Sequence, residues 1–421
     1  MIELFIVVFT IGFLVFFARV QQGSWLAPGA FFALLWFIYL LLPLLFAPDY
    51  PAWWGSYLWV AVSVFSLFVG STVGMGNFKL TTREKIKKTS LVFWGAKTII
   101  ILSSLIGFLA LFLTMVSRGF GWSSFSSIEL LSEMGNDFSV GRYNYNYSPP
   151  FLARLLLSFV YFSCFLGGAF FAVAKGKFNK LISFLPFLPA VFFALMMTTR
   201  TSVIYPLIIW GSAYLSSLVI KNRGSLGFSF KKIFAAGILL AFIFISVVAL
   251  SMLRSQRTSF DHLQAIWNHE KVGVFGSPPA FSYWFGDNWQ KNLFPAGGAF
   301  TFSGFFDLVG LKSRTIGIYQ ENIELGNERG TTNVYTIFRG LAEDYTLPGS
   351  LGVLFIFGLL AGISFRRLAN GERFFLPCMA FFYSVAAWSY FVNIFNYNSI
   401  IFGWLIFVFY VIFLVRIRTN G

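Results

Sequence analysis

Apolar residues in this chain come in long runs separated by short polar stretches, and the length of the runs decides the first reading. Eleven lie at about 2–18, 27–46, 55–75, 91–116, 150–174, 181–197, 203–220, 233–253, 348–365, 374–392 and 399–415. Each is long enough, or nearly so, to cross a hydrocarbon core of about 30 Å as a helix. A bilayer core offers no water to the backbone, so such runs resolve into helices that satisfy their own N–H and C=O groups. The pattern predicts an all-α polytopic integral membrane protein with about 11 (10–14) transmembrane helices and one transmembrane domain over residues 1–421.

Composition agrees with that pattern. Of the 421 residues, 57% are hydrophobic and 11% charged, against about 25% charged in soluble domains. No basic region precedes the run that starts at Ile2, so no cleavable signal peptide is expected. The formal charge of +15 would suggest nucleic acid in a soluble protein, but here the charges sit in loops. One alternate set of loops (19–26, 76–90, 175–180, 221–232, 366–373 and the tail from 416) carries 18 of the 31 basic residues, with Glu84 and Glu372 as its acids. The positive-inside rule makes that set cytoplasmic and puts the C-terminus inside. The other set holds nearly all the acids and faces out. No nucleic-acid partner is expected. Cys164 and Cys378 both lie in apolar runs, which supports neither a disulfide framework nor a cysteine metal site.

Two outward loops are longer than a connection needs: 117–149, aromatic and polar, and 254–347, more than ninety residues. Loops of that size usually carry function. The second contains helix-like text, "SFDHLQAIWNHEK", and a Gly- and Phe-rich part, "FPAGGAFTFSGFFDLVGL", that would lie in the interface or re-enter the membrane.

Candidate chemistry gathers in the same loops. Arg200, in "LMMTTRTSVIYP", occupies a very short outward turn. It reads either as an interfacial cation that snorkels and caps a helix, or as a fixed cation facing a cavity. Arg254 and Arg257 stand at i, i+3 with Asp261 one turn on, which gives either a surface ion pair or a guanidinium pair suited to phosphate. His262 and His269 are seven residues apart, too far for the usual zinc pair and without a third ligand, so no metal site is expected. A histidine could still serve as a base. The stretch "GTTNVYTIFRGLAEDYTLPGSLG" (330–352) places Tyr335, Arg339 and Glu343 at i, i+4, i+8, one polar stripe if the segment is helical throughout. Asp344 has no cation one turn away, and Pro348-Gly349 marks a break before the next apolar run. The bland alternative for the stretch is an interfacial anchor with an aromatic belt.

"GTTNVYTIFRGLAEDYTLPGSLGVLFIFGLLAG" resembles the segment that closes the large outside loop of Wzy-type O-antigen polymerases, the oligosaccharide repeat-unit polymerases. "MMTTRTSVIYPLII" is similar to that family's outward Arg followed by a small hydroxyl residue. The family commonly has Gly after its acidic-aromatic pair, whereas here Thr346-Leu347-Pro348 precede Gly349.

The resemblance implies a GT-C-like glycosyltransferase of the bacterial inner (cytoplasmic) membrane, with 117–149 and 254–347 as periplasmic loops containing short helices. It would polymerise polyprenyl-diphosphate-linked oligosaccharides of a surface polysaccharide, which serve as both donor and acceptor, with no cofactor and no metal. A chain-length-regulating co-polymerase is a further partner that the resemblance admits. On this reading Arg200, Arg254, Arg257, Arg329 and Arg339 surround the diphosphate. Asp344 or Glu343 activates the acceptor, Asn333 and Tyr335 shape the sugar site, and His269 joins the substrate-binding residues. Two rival readings stay open: an O-antigen ligase delivering glycan to a lipid A core, and a flippase or transporter of lipid-linked sugars. Trp122, Tyr143, Tyr145, Tyr147, Trp284 and Trp289 could present faces to sugar rings, or simply anchor the interface.

Overall fold

The computed structural model describes residues 2–50, 52–76, 93–143, 149–225, 263–291, 294–311, 319, 321–326 and 330–419. Among these, nine helices are long and apolar enough to cross a membrane. They are α1 (Ile2–Gln22), α2 (Pro28–Phe46), α3 (Trp54–Met75), α4 (Ala96–Val116), α6 (Phe151–Phe171), the pair α7 (Lys177–Ile182) and α8 (Phe187–Met197) taken as one stretch, α9 (Thr201–Asn222), α13 (Ile337–Ala369) and α15 (Asn398–Thr419). A shorter apolar helix, α14 (Leu376–Trp388), follows α13. Helices thus stand at ten of the eleven apolar runs; the run at 233–253 lies outside the described residues. The chain is a multi-pass, overwhelmingly helical membrane protein. On α1, Phe9, Phe13 and Phe16 are about two-thirds exposed, the face such a helix turns to lipid.

Both long loops contain short helices. The first carries a turn of 3-10 helix at Trp122–Phe125 and α5 (Ile128–Tyr143). The second carries α10 (Leu263–Phe275), α11 (Ser277–Asn288) and α12 (Ser303–Leu308). Before α13 comes an antiparallel hairpin, β1 (Ile323–Leu325) and β2 (Gly330–Thr332), with Glu324 opposite Thr331.

The chain divides into two compact units. The first takes in residues to Ser90, Leu215–Leu226 and Asn268–Asn398. Its spine is the pairing of α3 with α13. Gly70 and Gly74 of α3 face the carbonyl oxygens of Phe355 and Leu359, and Gly358 and Gly362 of α13 face those of Leu67 and Ser71. A Cβ at any of the four would stand well inside contact distance of backbone oxygen. "GSTVG" and "GLLAG" are therefore reciprocal small-residue seams, which let two helix backbones approach where lipid provides no hydrophobic drive between helices. The Ser66 hydroxyl donates to the Leu351 carbonyl at 2.8 Å across the same seam. Gln22, buried at the end of α1, donates to Ser71 Oγ at 2.6 Å and accepts from the Ala30 amide at 3.1 Å, satisfying a donor at the start of α2.

The second unit comprises Leu91–Tyr214, Gly227–Trp267 and the chain from Ser399. Its core gathers Met115, Met134, Phe138, Phe193 and Met196. Gly167 and Gly168 of α6 pack beneath the carbonyls of Ser183 and Trp210, and Phe165 stacks on Phe407 at 5.4 Å.

Candidate functional site

The first unit contains the polar cluster, and Pro348 explains how the chain builds it. In a continuous helix the Pro348 ring would clash with the Asp344 carbonyl and could not donate to it. The helix breaks at Thr346, whose φ of 63° and ψ of 172° separate 337–345 from 347–369. The break falls two residues before the Pro-Gly pair, and Pro348 instead opens the second helical stretch. Two carbonyls are freed and both are taken up: Glu343 O by the Ala296 amide at 3.0 Å, and Asp344 O by the Gly297 amide at 3.2 Å. Gly297 and Gly298, with φ of 64° and 97°, turn the loop back on itself. The fully buried Asp344 carboxylate then accepts from the Phe300 and Thr301 amides.

Asp344 is therefore an anchor that holds 296–301 against the helix break. We expect Asp344→Asn, which turns an NH2 toward one of those donors, to cost about 1–3 kcal/mol. The Phe300 and Thr301 amides should exchange hydrogen faster in the variant. Unchanged exchange at both would remove this role.

Arg339 sits two turns before the break, its side chain 6% exposed. Nε donates to Glu343 Oε1 at 2.9 Å and Nη2 to Glu321 Oε2 at 2.9 Å. Its Cζ lies 3.9 Å from the Tyr319 ring centroid, 4.1 Å from that of Tyr335 and 5.3 Å from that of Trp284. The two tyrosine rings meet at 77° and form a corner for the guanidinium, a weakly hydrated cation that suits aromatic walls. Phe300 stacks on the outer face of Tyr319 at 5.6 Å, joining the anchored loop to the corner.

The "TNVYT" residues build this corner without being helical. α13 begins at Ile337, so Tyr335 precedes it on extended chain, and the expected three-residue helical stripe is a two-residue one. Tyr335 reaches Arg339 from the backbone turn instead. Asn333 Nδ2 donates to the Tyr319 carbonyl at 3.2 Å, and the Tyr335 hydroxyl donates to the Glu321 carbonyl at 3.3 Å. The hairpin is itself fixed: Gly326, at φ 71°, lies against Asp49 and Tyr50, and Asp49 pairs with Lys271 at 2.6 Å. Burial pushes the Tyr319 phenol well above its ordinary range, and the Glu343 carboxylate adds to the shift. Burial also raises Tyr335, against the opposing pull of Arg339. Both phenols stay protonated at neutral pH, and that of Tyr335 is the donor to the Glu321 carbonyl.

One guanidinium here faces two carboxylates. Arg339 is thus not a free cation waiting for phosphate, and its direct effect is to hold Glu343. Glu343 Oε2 and Arg339 Nη1 have no hydrogen-bond partner among the described residues. A buried carboxylate clamped by one oxygen with the other unengaged can accept a proton from a bound hydroxyl.

The structure brings together Arg339, Glu343, Asp344, Asn333 and Tyr335. Arg200 belongs to the second unit, where its carbonyl accepts from the Val203 and Ile204 amides at the start of α9. Arg254, Arg257, His262 and Arg329 lie outside the described residues, as do Tyr145, Tyr147 and the side chains of Tyr143 and His269. Trp284 is buried beside Arg339, whereas Trp289 is 44% exposed and packs 5.7 Å from Trp53. Trp122 stacks on Phe112 in the second unit. Sequence reasoning missed Tyr319 and Glu321. The alternation and turn in "IELGNERGTT" announce a hairpin that would carry them toward Tyr335, but nothing local marks them as partners of Arg339. No protein-family model matches the chain, and neither a curated protein nor a solved structure does.

Proposed function

We propose that the protein is a glycosyltransferase of the GT-C class that polymerises polyprenyl-diphosphate-linked oligosaccharide repeats on the periplasmic face of a bacterial inner membrane. The observation that supports this reading is the Glu343 carboxylate, with Oε1 held by Arg339 and Oε2 without a hydrogen-bond partner among the described residues, at the end of the largest interhelical loop. The resemblance of 330–352 to repeat-unit polymerases supplies the substrate class.

In this reading Glu343 Oε2 takes the proton of the acceptor hydroxyl as its oxygen bonds to the anomeric carbon of the donor. The bond from that carbon to the diphosphate oxygen breaks, and its electron pair leaves with the lipid diphosphate. Arg339 holds and orients Glu343 through their ion pair, while Asp344 holds the loop. Stabilising the departing diphosphate falls to guanidinium groups other than Arg339, with Arg329 the candidate nearest to it in sequence. The chemistry requires no cofactor.

Deletion of the gene followed by gel analysis of surface polysaccharide tests the class. A product capped by a single repeat is expected. Complete loss of surface polymer with lipid-linked polymer accumulating would make the protein a ligase, and a normal ladder would end the polymerase reading. Complementation with Glu343→Gln should lower polymer formation at least about a hundredfold if Glu343 is the base. Wild-type chain lengths from that variant would exclude it.

A further inference from the structure

The Arg339 corner contains one ion pair that burial does not account for. Arg339 and Glu343 are enclosed, with side chains 6% and 17% exposed, whereas that of Glu321 is 69% exposed and still reaches Nη2. An exposed carboxylate gives up little on leaving such a pair, because it regains water; exposed ion pairs contribute about 0–1 kcal/mol. The guanidinium has already lost its water and needs an acceptor where Glu321 now stands. Its Nη1 has no hydrogen-bond partner among the described residues. Nη1 and Nη2 together form the end edge of the guanidinium fork, which matches the two oxygens of a carboxylate. Glu321 engages that edge with one oxygen.

We propose that Glu321 is a displaceable internal counterion, and that the Nη1–Nη2 edge of Arg339 binds the monoanionic carboxylate of an acidic sugar. Charge favours this ligand class. Among the described residues Arg339 pairs with the carboxylates of Glu321 and Glu343, with Asp344 close by, so exchanging one carboxylate for another leaves the sum of charge unchanged. A diphosphate would instead bring additional negative charge beside the buried Glu343, where repulsion is poorly screened. The inference deepens the proposed function by naming a class of sugar, and it rests on that reading only in taking the ligand to be a glycan.

The test is calorimetric binding to the purified full chain in detergent, with sodium glucuronate, glucose and inorganic pyrophosphate as probes. The wild-type protein should bind glucuronate weakly. Glu321→Gln, which removes the competing charge, should bind it about fivefold more tightly, the effect of releasing one exposed ion pair. Adding Arg339→Lys, which keeps the charge and loses the fork, should abolish the gain. Equal or weaker glucuronate binding by Glu321→Gln overturns the counterion role. Glucose binding as tightly as glucuronate, or a gain in pyrophosphate affinity on Glu321→Gln larger than the gain for glucuronate, overturns the sugar-acid assignment. None of these measurements depends on polymer formation, and the deletion experiment does not involve Glu321, so the two readings fail separately.

Discussion

Gly358→Leu should abolish accumulation of folded protein in the membrane, while Gly352→Leu in the same helix should be tolerated. A Cβ at Gly358 would meet the Leu67 carbonyl, its carbon and the Ser71 amide, all backbone of α3. Backbone cannot swing aside as a side chain can, so the two helices would have to part along the seam. With Gly362 set against Ser71, and Gly70 and Gly74 against Phe355 and Leu359, parting at one position loosens the other three. We expect the cost to reach or exceed the upper end of the about 1–3 kcal/mol typical of overpacking. A Cβ at Gly352 meets nothing within 4 Å, which makes it a control for the change in hydrophobicity and helix propensity. Thermal unfolding and size-exclusion profiles in detergent would decide it. Equal stability of the two variants would show that the seam is not what holds α3 to α13.

The second large effect concerns Arg339. Arg339→Met should destabilise the first unit by about 3–5 kcal/mol, because it leaves the Glu343 carboxylate buried without its cation. The double change Arg339→Met with Glu343→Leu should recover most of that loss, since replacing a buried ion pair by apolar groups of similar volume is often neutral or better. The coupling between the two positions, read from a double-mutant cycle of unfolding measurements, should be clearly non-zero. Additive effects would mean that the ion pair at 2.9 Å contributes nothing of its own. By the proposed mechanism the double variant would be folded and inactive. That separates it from Gly358→Leu, which should lose both properties, and makes it the cleaner probe of chemistry.

Much of the architecture was readable from the chain. Long apolar runs specify helices because a bilayer leaves the backbone no alternative, and ten of the eleven runs coincide with helices in the described residues. The Arg339–Glu343 pair was readable too, because residues four apart on a helix are neighbours. The break near Pro348 could be anticipated from its missing N–H, though its position at Thr346 could not. The partner of Asp344 could not be read at all, since it consists of two backbone amides of a loop more than forty residues away, and a backbone donor has no letter in the sequence. Tyr319 and Glu321 stayed hidden for a related reason: they reach Arg339 only because the hairpin is seated on Asp49 and Tyr50, a long-range packing event.

By itself, then, the sequence determined that this is a multi-pass helical membrane protein, and which of its segments are polar enough to carry chemistry. These are properties of local composition and period. Tertiary structure decided which helix lies against which and what each charge does. "GSTVG" and "GLLAG" were always in the text, yet their pairing joins residues almost three hundred positions apart. Glu343 and Asp344 are adjacent in the chain, and only three-dimensional packing distinguishes them: a guanidinium holds one, and backbone amides hold the other in the core.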